Sequence, residues 1–144
     1  MLEGGCACGA VRYRLDYQPY DTGWCHCRLC QRLSGSGGMI FTTVPLFAFV
    51  IVDDEGKAGR FASTPTGERS FCTACGTPLT IHVRHQADEI DIAVGSLDDP
   101  NAVTPGFHLF ARQAPSWTTF TDGLPRYDAL RPNTRGLASG QTEL

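Results

Sequence analysis

Seven cysteines in three short groups constrain this chain more than any other feature. Cys6 and Cys8 form C-x-C, Cys25, Cys27 and Cys30 form C-x-C-x-x-C, and Cys72 and Cys75 form C-x-x-C. Thiolates are common structural ligands of zinc, and a closed site takes four ligands. Two local pairs far apart in sequence make one such set. The remaining three cysteines leave a fourth position for water or a substrate, as in catalytic zinc sites. The count therefore suggests one metal that folds the chain and one that acts. Joining the Cys6 pair to the Cys72 pair staples the N-terminal strand to the middle of the chain. In peptide models a zinc of this kind contributes on the order of 10 kcal/mol to folding.

At 144 residues the chain has the length of one domain, large enough for a core and small enough to gain from a bound metal. Hydrophobic residues make up 42% and charged residues 19%, which excludes a disordered segment. The net charge of −3 argues against nucleic-acid binding, which calls for a basic patch or stripe. The opening Met1-Leu2-Glu3-Gly4-Gly5 lacks a basic region followed by an apolar run, so no secretory signal is expected. The apolar stretch Met39 to Val52 is too short and too interrupted to span a bilayer. A cytoplasmic setting is expected, where closely spaced thiols mean metal or redox chemistry more often than disulfides.

Strand signals dominate. Val11, Tyr13, Leu15 and Tyr17 alternate with polar residues, and the same period recurs over Leu79 to Val83 and Ile90 to Val94. Met39 to Thr43, Leu46 to Val52, Arg60 to Ser63 and Phe107 to Ala111 are further strand candidates. One short helix is expected from about Arg28 to Leu33, ended by Gly35. The expected fold is mainly β, with small antiparallel sheets clamped by zinc and a helix after the second cysteine motif. Residues 1–128 form the expected domain and 129–144 a loose tail. Exposed edges of small sheets leave room for a homodimer.

On a strand, Cys25 and Cys27 share a side and His26 points to the other, so His26 is poorly placed to ligate the same ion. It is expected to make a supporting hydrogen bond or to sit in solvent. Cys27 and Cys30 are brought together by a turn or first helical turn. The trio stands open between an open zinc site, a closed one completed by His82, His85 or His108, and a redox pair with a bystander. A three-thiolate zinc is soft, and its natural exogenous ligand is another thiolate, so a small thiol such as glutathione suits it. Arg28, Arg32 and Arg69 are candidate partners for that thiol's carboxylates. His108 is a weak catalytic candidate against a buried structural role, and Trp24 and Trp117 are expected in the core. The run Gly35-Ser36-Gly37-Gly38 lacks the lysine of a phosphate loop.

Several runs resemble the glutathione-dependent formaldehyde-activating enzyme family: Gly4-Gly5-Cys6-Ala7-Cys8-Gly9, Cys25-His26-Cys27-Arg28-Leu29-Cys30-Gln31-Arg32 and Phe71-Cys72-Thr73-Ala74-Cys75-Gly76. The pattern closes with His108-Leu109-Phe110, Trp117 and Asp122-Gly123-Leu124-Pro125, so the resemblance covers about residues 3 to 128. It implies a β-tent fold. It implies a structural zinc on Cys6, Cys8, Cys72 and Cys75 and a catalytic zinc on Cys25, Cys27 and Cys30. It also implies the condensation of formaldehyde with glutathione to S-(hydroxymethyl)glutathione, a carbon–sulfur lyase reaction. The competing expectation is a zinc protein that binds or carries glutathione or another small thiol without turnover.

Overall fold

The structure is a computed structural model and describes residues 1–132. Three strands, β1 (Leu2–Gly5), β2 (Arg12–Leu15) and β5 (Phe49–Val52), form a small antiparallel sheet in the order β1-β2-β5. Seven more form the second sheet: β3 (Tyr20–Cys25), β4 (Met39–Pro45), β6 (Ala58–Thr64), β7 (Gly67–Cys72), β8 (Pro78–Val83), β9 (Glu89–Ala93) and β10 (His108–Leu109). Their order is β10-β3-β4-β9-β8-β7-β6. The α-helix among the described residues, α1 (Arg28–Ser34), follows β3 directly and ends at Gly35, whose N–H reaches the Gln31 carbonyl. This mainly β architecture is the expected class and is consistent with a β-tent.

Some elements differ from expectation for local reasons. Leu46 to Val52 is not one strand. Leu46–Ala48 is a 3₁₀ turn started by Pro45, and only Phe49–Val52 extends. Phe107 to Ala111 pairs over only two residues, because Phe110 turns left-handed at φ 54°. That short strand runs parallel to β3, against the expected antiparallel rule. β1, β3 and β7 were not expected. β3 carries Asp21, Gly23 and an irregular register between Tyr20 and Gly23, which hide its period. Past the expected boundary at 128, Ala129 and Leu130 are buried in the core, while 133–144 lie outside the described residues. No helix among the described residues is long and apolar enough to cross a membrane.

The core has two parts. The first joins Val11, Tyr13, Leu15, Val44, Leu79 and Ile92 with Cys6 and Cys72. The second joins Met39, Ala93, Phe110, Ala129 and Leu130 with Cys25, Cys27 and Cys30. β4 and β9 contribute to both parts, Val44 and Ile92 to the first, Met39 and Ala93 to the second. Since neighbouring side chains on a strand point to opposite faces, these central strands have packed residues on each side. Each face therefore meets one cysteine group.

Gly23 places β3 against the loop before β10. A Cβ there would lie 2.2 Å from the Phe107 ring. Gly23→Ala should destabilise the fold by about 1–3 kcal/mol through overpacking. Thermal unfolding checks this, and an unchanged melting temperature would show that Phe107 moves aside freely.

Candidate metal centre

The first cysteine group comes together from two turns. Gly9 (φ 81°) and Gly76 (φ 80°) adopt left-handed backbone that other residues resist, and each N–H closes back onto the carbonyl of Cys6 or Cys72. The four Sγ atoms of Cys6, Cys8, Cys72 and Cys75 lie within 4.8 Å of one another. Cys6 and Cys8 are 3.5 Å apart, Cys8 and Cys72 3.8 Å. A tetrahedron with zinc–sulfur bonds of about 2.3 Å has edges of about 3.8 Å, so this donor set fits zinc closely. The backbone supports the charge. Val11 N–H donates to Cys6 Sγ at 3.2 Å, and hydrogen bonds from the Thr77 side chain and backbone draw Cys75 down to about 5.

Cys25, Cys27 and Cys30 form the second group, all buried, their sulfurs also within 4.8 Å of one another. Cys25 ends β3 and Cys27 caps α1, its Sγ accepting the Cys30 N–H at 3.3 Å. Gln31 locks the junction, donating to the carbonyls of His26 and Gln113. Hydrogen bonds from Cys25 and Cys30 draw Cys27 down to about 3, while the bond to Cys27, that to Cys30 and then burial hold Cys25 well above the thiol range. Three thiols packed this way share one easy ionisation; a dication would let all three ionise. The all-sulfur chemistry of the trio thus fits zinc as well. Neither His82, His85 nor His108 joins it, and among the described residues no fourth metal-ligating side chain completes the set.

A cavity of about 280 Å³ lies beside the group, with Trp24, Cys25, Cys30, Arg69, Asp91 and Arg131 in its wall. Arg69 is only 6% exposed, and its Nη2 donates to Cys30 Sγ at 3.3 Å. Its Nη1 faces Met39 Sδ at 3.7 Å, and its Nε meets no acceptor among the described residues. Arg131 lies 3.8 Å over the Phe107 ring and pairs with Asp21 at 3.3 Å. Glu89, also in the wall, accepts from Tyr20 at 2.5 Å. Arg28 and Arg32 sit on the exposed side of α1, and neither lines this cavity.

His26 and His108 line a different cavity, with Trp117, Phe120 and Asp122. His108 Nε2–H donates to Asp122 Oδ2 at 2.8 Å, and in the neutral ring its Nδ1 then accepts from His26 Nε2 at 2.8 Å. Trp24 stacks on His26 at 5.6 Å and 7°. Burial, then His108, keep His26 below the usual histidine range. The expected supporting bond of His26 is present, and solvent is not its surroundings. Trp117 is 76% exposed and not in the core. Sequence reasoning missed Asp122 as the partner of His108, though both lie in the closing motif, and missed Arg131, whose neighbourhood signals no role.

The metal-free chain should take up two equivalents of cobalt(II), read from thiolate-to-cobalt absorption. Cys27→Ser should lose one equivalent and keep the other, whereas Cys8→Ser should lose both, because without its structural metal the domain unfolds. Loss of both in Cys27→Ser would show that the clusters are not independent.

The model of the glutathione-dependent formaldehyde-activating enzyme family matches residues 1–113. A Halomonas elongata relative, whose name gives glutathione-dependent formaldehyde activation as a provisional label, is 27% identical over 124 residues, 81% of this chain and 79% of its own. An uncharacterized lyase of Schizosaccharomyces pombe is 31% identical over 77 residues, 54% of each chain. The crystal structure of a Rhodobacter sphaeroides protein superposes with a TM-score of 0.59, covering 87% of this chain and 99% of that one at 22% identity, which shows a shared fold. Motifs, fold and family match agree, and the chain belongs to the glutathione-dependent formaldehyde-activating enzyme family.

Proposed function

We propose that this chain joins glutathione to formaldehyde, forming the carbon–sulfur bond of S-(hydroxymethyl)glutathione, at Cys25, Cys27 and Cys30. One observation carries the reading: three buried cysteines share one ligand set without a fourth partner among the described residues, and two of them line a cavity. Zinc held by these three residues would supply a place for an incoming sulfur and favour its thiolate form. Cys6, Cys8, Cys72 and Cys75 hold the second, structural zinc, tying the β1–β2 turn to the β7–β8 turn. The arrangement needs reduced sulfur, which fits a cytoplasmic setting.

The chain's own residues bind and orient the thiol. Glutathione carries two carboxylates and one ammonium. Arg131 offers its guanidinium to a carboxylate, Glu89 and Asp91 offer anionic groups to the ammonium, and Arg69 stays beside Cys30 as counter-charge to sulfur. Arg131 takes over the role expected of Arg28 and Arg32, which face solvent. His108 is a positioning residue here: with Asp122 it holds His26, which lies between Cys25 at the end of β3 and Cys27 at the cap of α1.

The test is exchange-based NMR of glutathione and formaldehyde equilibrating with their adduct. Zinc-loaded protein should speed the exchange, and Cys27→Ser should return it to the rate without protein. Equal rates with and without the native chain would overturn the reading. Saturable glutathione binding without acceleration would make the protein a thiol carrier instead.

A further inference from the structure

The edges of the two sheets are not alike. On the smaller sheet the outer side of β1 is covered: Gly4 bridges to Leu97, and Asp98 N–H donates to the Glu3 carbonyl. On the larger sheet β10 is covered by the closing segment, with His108 N–H on the Pro125 carbonyl and Tyr127 N–H on that of His108. β6 carries Arg60 and a register irregularity between Ala62 and Thr64, two devices that keep an edge from pairing with another chain. β5 has neither cover nor device. It ends the order β1-β2-β5, and Phe49-Val50-Ile51-Val52 holds no charge, no proline and no bulge. The same edge is an unfinished core. β2 pairs Tyr13 with Ile51 and Leu15 with Phe49, and residues directly opposite share a face. Tyr13 and Leu15 are buried in the first core, and Phe49 packs against it. Ile51, on that same face, is 43% exposed, and Val52 on the other face 46%. Just before the strand, Phe47 is 81% exposed and meets the half-exposed Tyr17 edge to face at 6.4 Å.

We propose that β5 is the two-fold interface of a homodimer, pairing antiparallel with β5 of a second copy to make one six-stranded sheet, β1-β2-β5-β5-β2-β1. Symmetry favours this partner. A two-fold axis normal to the sheet makes the edge its own complement and closes the assembly. It also keeps each face on its own side, so core-facing residues must stand opposite core-facing ones. A register centred on Val50 does this. It sets Val50 against Val50, Phe49 against Ile51 and Ala48 against Val52 of the second copy, and every pair is apolar. The acidic run Asp53-Asp54-Glu55 then lies at opposite ends of the pair in the two copies, so like charges do not meet. Phe47 comes beside Val52 of the second copy. The area is of the right order. At their exposures Phe47 and Tyr17 offer about 300 Å² of aromatic surface per copy. Leu46, Ile51, Val52 and the free backbone edge bring this near the ~800 Å² a side of a standard interface. The interface extends the first core and not that of the cysteine trio, so it is independent of the thiol reaction.

Sedimentation equilibrium of the full zinc-loaded chain tests this, together with hydrogen exchange of its backbone amides. The native chain should approach twice its 15.6 kDa mass as concentration rises, with β5 amides protected in the dimer and exchanging freely on dilution. Ile51→Lys sets a charge into each half of the interface at a position that one chain leaves open to solvent. It should weaken the dimer by about a hundredfold or more and still take up two equivalents of cobalt(II). Val52→Lys, on the opposite face, should act likewise and decides the matter if Ile51→Lys loses its cobalt sites. Phe61→Lys, on the edge strand of the larger sheet, should leave the dimer as it is. A chain that keeps its single mass at every concentration overturns the proposal. Protected β5 amides in such a monomer would mean that a stretch outside the described residues covers the strand. A dimer that folded Ile51→Lys and Val52→Lys leave intact, or that Phe61→Lys breaks, uses another surface and overturns it as well.

Discussion

β4 and β9 lie at the middle of the larger sheet, and neither has a free face. Val44 and Ile92 close one core, Met39 and Ala93 the other. Packing on both sides of a strand pair fixes its register, because a slip by one residue would exchange the two faces. Each cysteine group is attached to a different face of this partition. The four-sulfur group is built from turns at strand ends, and the three-sulfur group from the junction of β3 and α1. Two cysteine clusters that could each hold a metal ion can coexist in a chain this short because the central strands keep them apart.

Charge balance at the trio follows from one side chain. Three thiolates around a dication leave one net negative charge, and a fourth thiolate leaves two. Such charge is expensive to bury unless a partner of opposite sign is at hand. Arg69 is that partner, carried on β7 to within 3.3 Å of Cys30 Sγ. The same guanidinium is therefore both a wall of the cavity and a counter-charge for sulfur. An apolar residue at this place would fill the space and remove the balance.

Much of this was legible in the chain. The three cysteine motifs announced both ligand groups, because ligand spacing in a turn is a local property. Alternation located β2, β8 and β9, and Gly35 marked the end of α1. β3 escaped notice because Asp21 and Gly23 interrupt its pattern, and β10 shrank because Phe110 bends the backbone. The side-chain chemistry around the trio was the least visible part. Arg69, Arg131 and Asp122 owe their places to pairing between distant segments, and Arg28 and Arg32, though next to the sulfurs in sequence, face outward on the helix. Neighbourhood in sequence located the ligands; neighbourhood in space chose the groups that surround them.

The segment from Phe107 to Leu130 is laced together by its own backbone. His108 N–H reaches the Pro125 carbonyl, Tyr127 N–H the His108 carbonyl, and Phe110 N–H the Ala129 carbonyl. Through it Phe110 and Leu130 are packed against the cysteine trio, and Arg131 is set in the cavity wall. During synthesis, all seven cysteines are made before any part of this segment exists. The full set of sulfurs is thus in place along the nascent chain before the stretch that packs over them is made.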